Sequence, residues 1–432
     1  MQTRKRLAYI GGGSMFVPSI INGIAEVMRN SPSSYGVELA LYDVQPAKAE
    51  RMQAYAELVS TTWRVPLQAV VSRTRQEALI DADVVLLSVW LHDVHERLEQ
   101  VLKGVDLHME EDGLGVVAWA LACAPWSLGV AADMKQLCPE ALLLTLMNPT
   151  DVIAGVVTEA TGIRAAGLCV EVDGLRGVLA YTFRVPEHAI VLHHAGVNHD
   201  GWVLNIQVRG QDGYTLWQDR WDELEQVQDY HPGTRGIRAI RDLTGYLRSS
   251  AYHNWPYQIG QTESERHLWE AWRGKRERCE LALDRAIETG RPICDPAGIH
   301  PERSALNYPL TGVTVGRLMQ SIAASRPEVI ALQVHNQGAI TNFPVNSIVE
   351  IPVLVKDSTL HPMPVGELPD WLGGYTRLLA VQRRLLIDYL LEPHLDTLKR
   401  ALAVLPMLGP VRELNRFAET LHREYGVDNR RS

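Results

Sequence analysis

The chain has 432 residues, of which 46% are hydrophobic and 22% are charged, and its formal net charge is −9 at pH 7. This composition is typical of a globular protein large enough for two domains. Charges of both signs are interspersed, so the sequence lacks the basic stripe of a nucleic-acid-binding protein and the polybasic patch of a membrane-binding one. We therefore expect a small-molecule ligand, and neither nucleic acid nor membrane as a partner.

Cysteine usage and hydropathy favour a cytoplasmic protein. The five cysteines are scattered and include no CxxC pair, which favours a reducing compartment. The first apolar run stops at Gly11, too early for the core of a signal peptide. The most apolar later stretch, residues 116–132, is interrupted by Pro125 and Ser127, and we predict a buried helix there rather than a membrane span.

In the first half of the chain, short runs rich in Val, Leu and Ile predict buried strands. These runs are Leu7–Ile10, Val37–Tyr42, Val84–Val89, Leu142–Met147, Ala166–Val170 and Ala189–His193. Most of the intervening stretches are long enough for a helix, the first over residues 20–28. Apolar strands that alternate with helices predict a parallel sheet covered on both faces.

After about Gly196 the pattern changes to longer helical segments, at residues 263–288 and 376–391, with extended runs at 312–315 and 347–355. We therefore predict an α/β protein similar to lactate and malate dehydrogenases. A Rossmann-type parallel-sheet domain, residues 1–195, would be followed by a mixed α+β domain, residues 196–432, for substrate binding and oligomerisation.

A candidate dinucleotide site follows the first predicted strand. The connection from that strand to the first helix begins with Gly11, Gly12, Gly13, Ser14, Met15 and Phe16. The glycines allow a tight turn in which a pyrophosphate can bind the N–H groups of the helix N-terminus, although Phe16 stands where G-x-G-x-x-G has its third glycine. Asp43 ends the second strand, where a carboxylate can bind a ribose diol and disfavour a 2′-phosphate. The sequence thus predicts NAD; a glycine turn and a solvated aspartate of another α/β protein are the alternative.

Further candidates come directly after strands, because ligands of doubly wound folds bind outside the carboxyl ends of the strands. Ser88, Trp90 and Asn148 occupy such positions. For Asn148, which precedes Pro149, a purely turn-forming role is the alternative.

Several short motifs follow one another in order along nearly the whole chain. They are Gly11-Gly12-Gly13-Ser14 with Pro18, Leu41-Tyr42-Asp43, Asn148-Pro149, Gly167-Leu168-Cys169, Gly196-Val197-Asn198-His199, Gly245-Tyr246-Leu247, and Asn336-Gln337-Gly338-Ala339-Ile340 through Asn342-Phe343-Pro344. On these motifs the chain resembles glycoside hydrolase family 4, the NAD- and metal-dependent glycosidases.

The resemblance implies that Cys169 and His199 bind a divalent metal, usually manganese, which also chelates sugar hydroxyls. Thiolate and imidazole suit a borderline cation, and two protein ligands leave open positions for substrate. Without the resemblance, a buried cysteine and a hydrogen-bonded structural histidine would be the ordinary interpretation. The resemblance also implies that Tyr246 is the general base, with Tyr252 and Tyr257 as nearby alternatives.

The chain departs from the family at two places. Val170 follows the metal cysteine, where relatives have Asp, Asn or His, so we nominate Glu171 as a substrate contact and proton donor; a carboxylate that caps a helix is the alternative. Relatives that act on 6-phosphorylated sugars often have an arginine near position 90, whereas this chain has Trp90, with His92, His95 and Arg97 as substitutes from the following helix. Asn148, Asn198 and His92 complete the predicted substrate contacts. Neutral, uronic and 6-phosphorylated sugars are the three candidate substrate classes.

The mechanism that the resemblance implies starts with hydride transfer from C3 of the sugar to NAD. Tyr246 then removes the acidified C2 proton, the metal stabilises the enediolate, the aglycone leaves C1, water adds, and the same cofactor reduces the ketone. We expect a small glycoside as the substrate and a homodimer or homotetramer. The rival hypothesis is a 2-hydroxy-acid or polyol dehydrogenase that uses His199 and Arg248, and a third is an NAD-sensing regulatory protein.

Overall fold

The computed structural model describes residues 3–30, 35–101, 113–217, 240–249, 261–294, 306, 309–405 and 411–426. Within these ranges a single thirteen-stranded sheet runs through both halves of the chain. The strands are β1 Thr3–Ile10, β2 Tyr35–Tyr42, β3 Leu67–Val71, β4 Val84–Leu87, β5 Leu142–Thr145, β6 Ala165–Gly167, β7 Ile190–Val197, β8 Asp200–Val208, β9 Gln211–Asp212, β10 Leu247–Arg248, β11 Glu328–His335, β12 Ile348–Lys356 and β13 Thr359–Pro362.

The helices lie mostly between strands in the first half and in longer segments in the second. They are α1 Val17–Asn30, α2 Pro46–Trp63, α3 Arg75–Leu79, α4 His92–Val101, α5 Gly115–Leu137, α6 Thr150–Thr161, α7 Glu171–Phe183, α8 Gly213–Trp217, α9 Gln261–Thr289, α10 Pro309–Ala324, α11 Asp370–Leu391, α12 Leu395–Ala403 and α13 Val411–Tyr425. The helices predicted over 263–288 and 376–391 and the strand predicted over 347–355 are confirmed as α9, α11 and β12.

The first half forms a parallel sheet in the order β3-β2-β1-β4-β5-β6, which confirms the predicted Rossmann-type arrangement. Its central strands are apolar because helices cover both faces, and every residue of β4 and β5 is buried. The sequence did not reveal β3, an edge strand in which Gln68 is exposed between buried neighbours, because a strand with one solvated face lacks a continuous apolar run.

The second half extends the same sheet with antiparallel strands, in the order β6-β11-β12-β7-β8-β10. Two strands from late in the chain, β11 and β12, therefore lie between β6 and β7. The boundary that we proposed between residues 195 and 196 falls inside β7. The insertion brings the loop after β6 and the turn after β7 toward one region of the molecule.

Helix α5 is the one helix within the described ranges that is long and apolar enough to cross a membrane, and most of its apolar window is buried inside the protein. Residues 116 to 124 are all buried. The prediction of a buried core helix over residues 116–132 is confirmed.

Helices α1 and α10 cross in backbone contact, and this overturns one prediction. Residues 312–315, expected to be extended, are helical within α10. A Cβ atom at Gly312 would lie 1.8 Å from the carbonyl oxygen of Ser19, and one at Gly23 would lie 1.9 Å from the backbone of Gly312. Tertiary packing against α1 has overridden local strand propensity, and glycine is required at both positions.

We expect Gly312→Ala to lower the free energy of unfolding by about 2 kcal/mol or more, because the added methyl group must push two helices apart. Gly129→Ala is the matched control: Gly129 also lies inside a helix, but no atom is within 4 Å of its missing Cβ. This control should gain about 0.5–1 kcal/mol, since alanine is the better helix former. Urea unfolding monitored by circular dichroism measures both; a stabilising effect at position 312 would contradict the packing.

Candidate active site

The glycine loop follows β1 and lies against the carboxyl ends of β2 and β4. Gly11 has a φ of +97°, and a Cβ there would lie 2.1 Å from the carbonyl oxygen of Ser88. The N–H groups of Gly11 and Gly12 both donate to the carbonyl oxygen of Tyr42, at 2.9 and 2.8 Å. The loop thus turns tightly at the carboxyl ends of three strands and leads into α1, the arrangement that presents a helix N-terminus to a phosphate.

Asp43 lies directly against this loop. Its Oδ2 accepts a hydrogen bond from the N–H of Gly13 and its Oδ1 accepts one from Gln45, each at 2.9 Å. A carboxylate has about four lone-pair sites, so two backbone donors leave acceptor capacity for a diol. Nearby, the hydroxyl oxygens of Ser14 and Ser88 are 3.2 Å apart. The structure therefore brings Asp43, Ser14 and Ser88 together around the loop.

Met15 and Phe16 complete the loop, and each makes a contact through its backbone. The N–H of Phe16 donates to the hydroxyl oxygen of Ser14 at 3.3 Å, and the carbonyl oxygen of Met15 lies 4.0 Å from the sulfur of Cys279 on α9. The loop is thus bordered on one side by a helix of the second half.

Cys169 and His199, which are thirty positions apart in the chain, meet in space: Sγ of Cys169 is 3.3 Å from Nε2 of His199. Cys169 comes just before α7, and His199 sits in the turn between β7 and β8 with a φ of +62°. Arg248 from β10 donates to the carbonyl oxygen of His199 at 2.8 Å. This charged donor holds the turn in its left-handed conformation.

Glu171 joins this pair. It lies in the first turn of α7, is buried, and places Oε1 3.9 Å from Nε2 of His199. Val170, the residue between Cys169 and Glu171, is the N-cap of the same helix. The local sequence therefore begins a helix directly after the cysteine, which turns the glutamate toward the histidine.

The Cys169 and His199 donor set is compatible with one divalent cation. Metal–sulfur and metal–nitrogen bonds are about 2.0–2.3 Å long, so atoms 3.3 Å apart can bind the same ion. In the described part of the chain no group of three or more His, Cys, Asp or Glu residues forms a complete metal cage. Two protein ligands with a buried carboxylate nearby fit an open site, in which a substrate supplies further oxygens.

Asn198 belongs to a buried polar network that the sequence analysis did not identify. Its Oδ1 accepts a hydrogen bond from Nε2 of Gln333 at 2.9 Å, and the same Nε2 donates to Oε1 of Glu350 at 2.9 Å. Burial raises the pKa of Glu350 to about 7; nearby Asp151 and Asp173 act in the same direction, and the Gln333 hydrogen bond opposes them. The signal was present in the sequence as single polar residues within the apolar strands β11 and β12.

Tyr246 directly precedes β10, two residues before Arg248. Its ring packs against Tyr214 and Trp371, with centroids 6.3 Å away in both cases. Among the hydrogen bonds of the described residues, none joins Tyr246 to Cys169 or His199. The segment that carries Tyr246 borders the Cys169–His199 pair through Arg248. Tyr252 and Tyr257 lie outside the described residues.

The remaining candidates lie around the ends of β4 and β5. Asn148 is half-buried, and its peptide bond to Pro149 is cis. His92 is exposed at the start of α4, with its ring centroid 6.4 Å from that of Trp90. Arg97, named above as a substitute phosphate ligand, bonds Glu424 at 2.7 Å and lies over the ring of Tyr425. The side chain of His95 lies outside the described residues.

The parallel sheet, the glycine loop and Asp43 define a protein with a dinucleotide-binding α/β fold, to which a Cys–His pair has been added at the junction with the antiparallel strands. The chain matches the model described as Family 4 glycosyl hydrolase over residues 6–185, and that of the Family 4 glycosyl hydrolase C-terminal domain over residues 194–408. It therefore belongs to family 4 of the glycosyl hydrolases and is a glycosidase, as the motifs predicted.

Individual relatives agree with this assignment. The chain is 24% identical over 387 residues to an alpha-galactosidase of Bacillus subtilis (strain 168), with 86% of each chain covered. A 6-phospho-alpha-glucosidase from gut microorganisms, solved in complex with NAD and Mn2+, superposes with a TM-score of 0.77 at 16% identity, with 98% of both chains covered. The lactate dehydrogenase of Eimeria maxima, solved with NADH and oxamate, shares the fold more distantly, with a TM-score of 0.51, 17% identity, and 91% and 98% of the two chains covered. The predicted dehydrogenase-like fold is confirmed.

The raised pKa of Glu350 predicts a pH-dependent stability. Between the ordinary pKa of a glutamate and about 7, the folded protein keeps a proton that the unfolded chain has lost, so the free energy of unfolding falls as the pH rises through this window. The expected loss is of the order of 3 kcal/mol. Glu350→Gln should remove it and become more stable than the wild type at pH 8. Denaturation at pH 5 to 8 measures the slope, with the exposed Glu57→Gln as control; parallel profiles for wild type and Glu350→Gln would contradict the prediction.

Proposed function

We propose that the protein hydrolyses the glycosidic bond of a small glycoside through transient oxidation of the sugar by bound NAD, assisted by a divalent metal such as Mn2+. The observation that carries the proposal is the 3.3 Å contact between Cys169 and His199, in a chain of family 4 whose solved neighbour holds NAD and Mn2+. The NAD-binding part would be residues 1–195 and the substrate-binding and oligomerisation part residues 196–432, in a cytoplasmic homodimer or homotetramer.

The residues around the glycine loop would hold the cofactor. The N–H groups of the loop from Gly11 to Phe16 and of the first turn of α1 would bind the pyrophosphate, and Asp43 would bind the ribose diol. Ser88 and Asn148 would line the nicotinamide end. Cys169 and His199 would hold the metal. When bound, NAD would supply reversible oxidation at C3 of the sugar, and the metal would supply electrostatic stabilisation of negative charge on sugar oxygens.

The chain's own groups would move protons around the oxidised sugar. A ketone at C3 acidifies the proton at C2, and Tyr246 would accept this proton and later return it. The aglycone then leaves C1 by elimination, and water adds to the same carbon. Glu171, buried 3.9 Å from His199, would protonate the leaving oxygen, because Val170 has no proton to give. Asn148, Asn198 and His92 would contact the sugar.

The residues after β4 bear on which class of sugar the enzyme would accept. The printed names of the relatives include an enzyme for a neutral sugar, the alpha-galactosidase, and one for a phosphorylated sugar, the 6-phospho-alpha-glucosidase. Trp90 stands where relatives that act on phosphorylated sugars often have an arginine, and the guanidinium of Arg97 is already hydrogen-bonded to Glu424. A neutral or uronic glycoside is the substrate class that this arrangement favours.

Removal of either metal ligand should abolish turnover. We expect Cys169→Ser and His199→Ala to lower kcat/KM by at least about 1000-fold, since the charge that the metal would stabilise is then unopposed. The NAD dissociation constant should change by less than about threefold, because Asp43 and the glycine loop are intact. Cys138→Ser, at a buried cysteine that ends α5, is the matched control and should stay active. Full activity of both ligand variants after chelation would exclude this metal site.

Exchange at C2 tests the proposed reaction class. Neutral, uronic and 6-phospho glycosides would be incubated with NAD and Mn2+ in deuterated water, and deuterium at C2 of the sugar product is expected, because the proton held by Tyr246 exchanges with solvent. Tyr246→Phe should lose both the label and nearly all turnover, whereas the exposed Tyr181→Phe should keep both. Cleavage without label and without NAD would indicate a carboxylate glycosidase. Net formation of NADH would favour the dehydrogenase alternative.

A further inference from the structure

Four residues form a row across four adjacent strands: Gly167 on β6 pairs with Gln333 on β11, Gln333 with Glu350 on β12, and Glu350 with Gly196 on β7. Directly paired residues point to the same face of a sheet, so two long polar side chains stand between two glycines. A Cβ at Gly167 would lie 2.0 Å from Oε1 of Gln333. The glycine thus provides the space that the Gln333 side chain occupies.

The amide of Gln333 contacts three segments of the proposed active site. Its Nε2 donates to Asn198, the residue before His199, and its Oε1 accepts from the hydroxyl of Thr150, the second residue after Asn148. Its Oε1 also lies against Gly167, two residues before Cys169. Gln333 and Asn198 are completely buried. One side chain therefore connects the segments that carry the proposed metal ligands and a proposed nucleotide contact.

The hydrogen bonds also dictate which end of each amide faces which neighbour. Gln333 presents its NH2 group to one oxygen of Glu350 and to Oδ1 of Asn198, and Glu350 has an oxygen that can accept this bond whether or not it is protonated. Asn198 must then turn its own oxygen toward Gln333. Its Nδ2 is left buried without a hydrogen-bond partner among the described residues. Buried donors are normally satisfied, so this Nδ2 is a group to which a bound molecule can supply the missing acceptor.

We propose that Gln333, held by Glu350, is a positioning residue that fixes Asn198 with its Nδ2 presented to an acceptor oxygen of the bound glycoside. The inference rests on the proposed function and adds to it a chemical requirement: at this point the substrate offers a hydroxyl or carbonyl oxygen that accepts a hydrogen bond. A network that only supported the fold would need satisfied hydrogen bonds but no particular orientation of Asn198.

Exchange of the two partners separates these roles. In the double variant Gln333→Glu/Glu350→Gln the network keeps one carboxyl group and one amide. At a pH well above the raised pKa of about 7 that burial gives Glu350, a carboxylate at position 333 only accepts, so Asn198 must turn its NH2 group inward and lose the donor toward the substrate. Asn198→Asp removes the same donor directly, because a carboxylate at position 198 still accepts from Gln333 but has no N–H group to offer the substrate. Gln320→Met, at a buried glutamine of α10, is the matched control.

The measurements are kcat and KM for the glycoside that the wild type cleaves, calorimetric binding of the same glycoside with NAD and a chelator present, the NAD dissociation constant, and the Tm. The exchange variant and Asn198→Asp should each lower kcat/KM by about 100-fold and weaken glycoside binding about tenfold or more. The NAD dissociation constant should change by less than about threefold, and Gln320→Met should behave as the wild type.

Wild-type kcat/KM in the exchange variant or in Asn198→Asp would overturn the inference. If NAD affinity or the Tm of the exchange variant fell together with its activity, the network would have a structural role, and the inference would be overturned as well. A wild-type protein that cleaves no glycoside would refute the proposed function instead, so the two failures are distinguishable.

Discussion

The pairing of β6 with β11 is the contact on which the rest of the molecule depends. A Rossmann-type sheet that stops at β6 leaves an open edge of unpaired N–H and C=O groups, which a folded protein must cover or pair. Here β11 and β12 occupy that edge and connect it to β7. The end of β7 is thereby brought to the loop after β6, so that Cys169 and His199 come into contact. The inserted strands β11 and β12 are therefore what places these two residues next to each other.

The interior contains buried carboxyl groups, and the structure shows how they are accommodated. Asp151 at the start of α6 pairs with Arg383 of α11, Nε to Oδ2 at 3.0 Å, and both side chains are almost inaccessible to solvent. Among the described residues that hydrogen-bond to it, Glu350 has no cation, and burial raises its pKa to about 7. One buried carboxylate is thus paired with a guanidinium, and the other holds its proton to a higher pH, which are the two ordinary outcomes for a carboxyl group in a low-dielectric interior.

The sequence predicted the features that depend on local pattern. Continuous apolar runs specified the buried parallel strands, and the glycine loop with Asp43 specified the nucleotide end of the sheet, because both signals lie within a few consecutive residues. The Cys169–His199 pair was identified by resemblance alone, since neither residue type indicates a metal site by itself. Gln333 and Glu350 escaped notice because an isolated polar residue in an apolar strand acquires meaning only when its cross-strand neighbour is known. Local propensity failed at residues 312–315, where the partner helix decided the conformation.

The glycine crossing of α1 and α10 has a consequence for how the molecule can respond to a ligand. Helix α1 begins at the cofactor loop, and its backbone touches that of a helix from the other half through Gly23 and Gly312. Domain closure in enzymes proceeds by rotation about hinges or by small sliding of packed helices. Here the two helices meet backbone against backbone at Gly23 and Gly312, without intervening side chains that could change rotamer as the helices slide. A relative rotation of the two halves about this contact would have to separate the two backbones, so smaller rearrangements of loops and turns at the rim of the sheet would cost less.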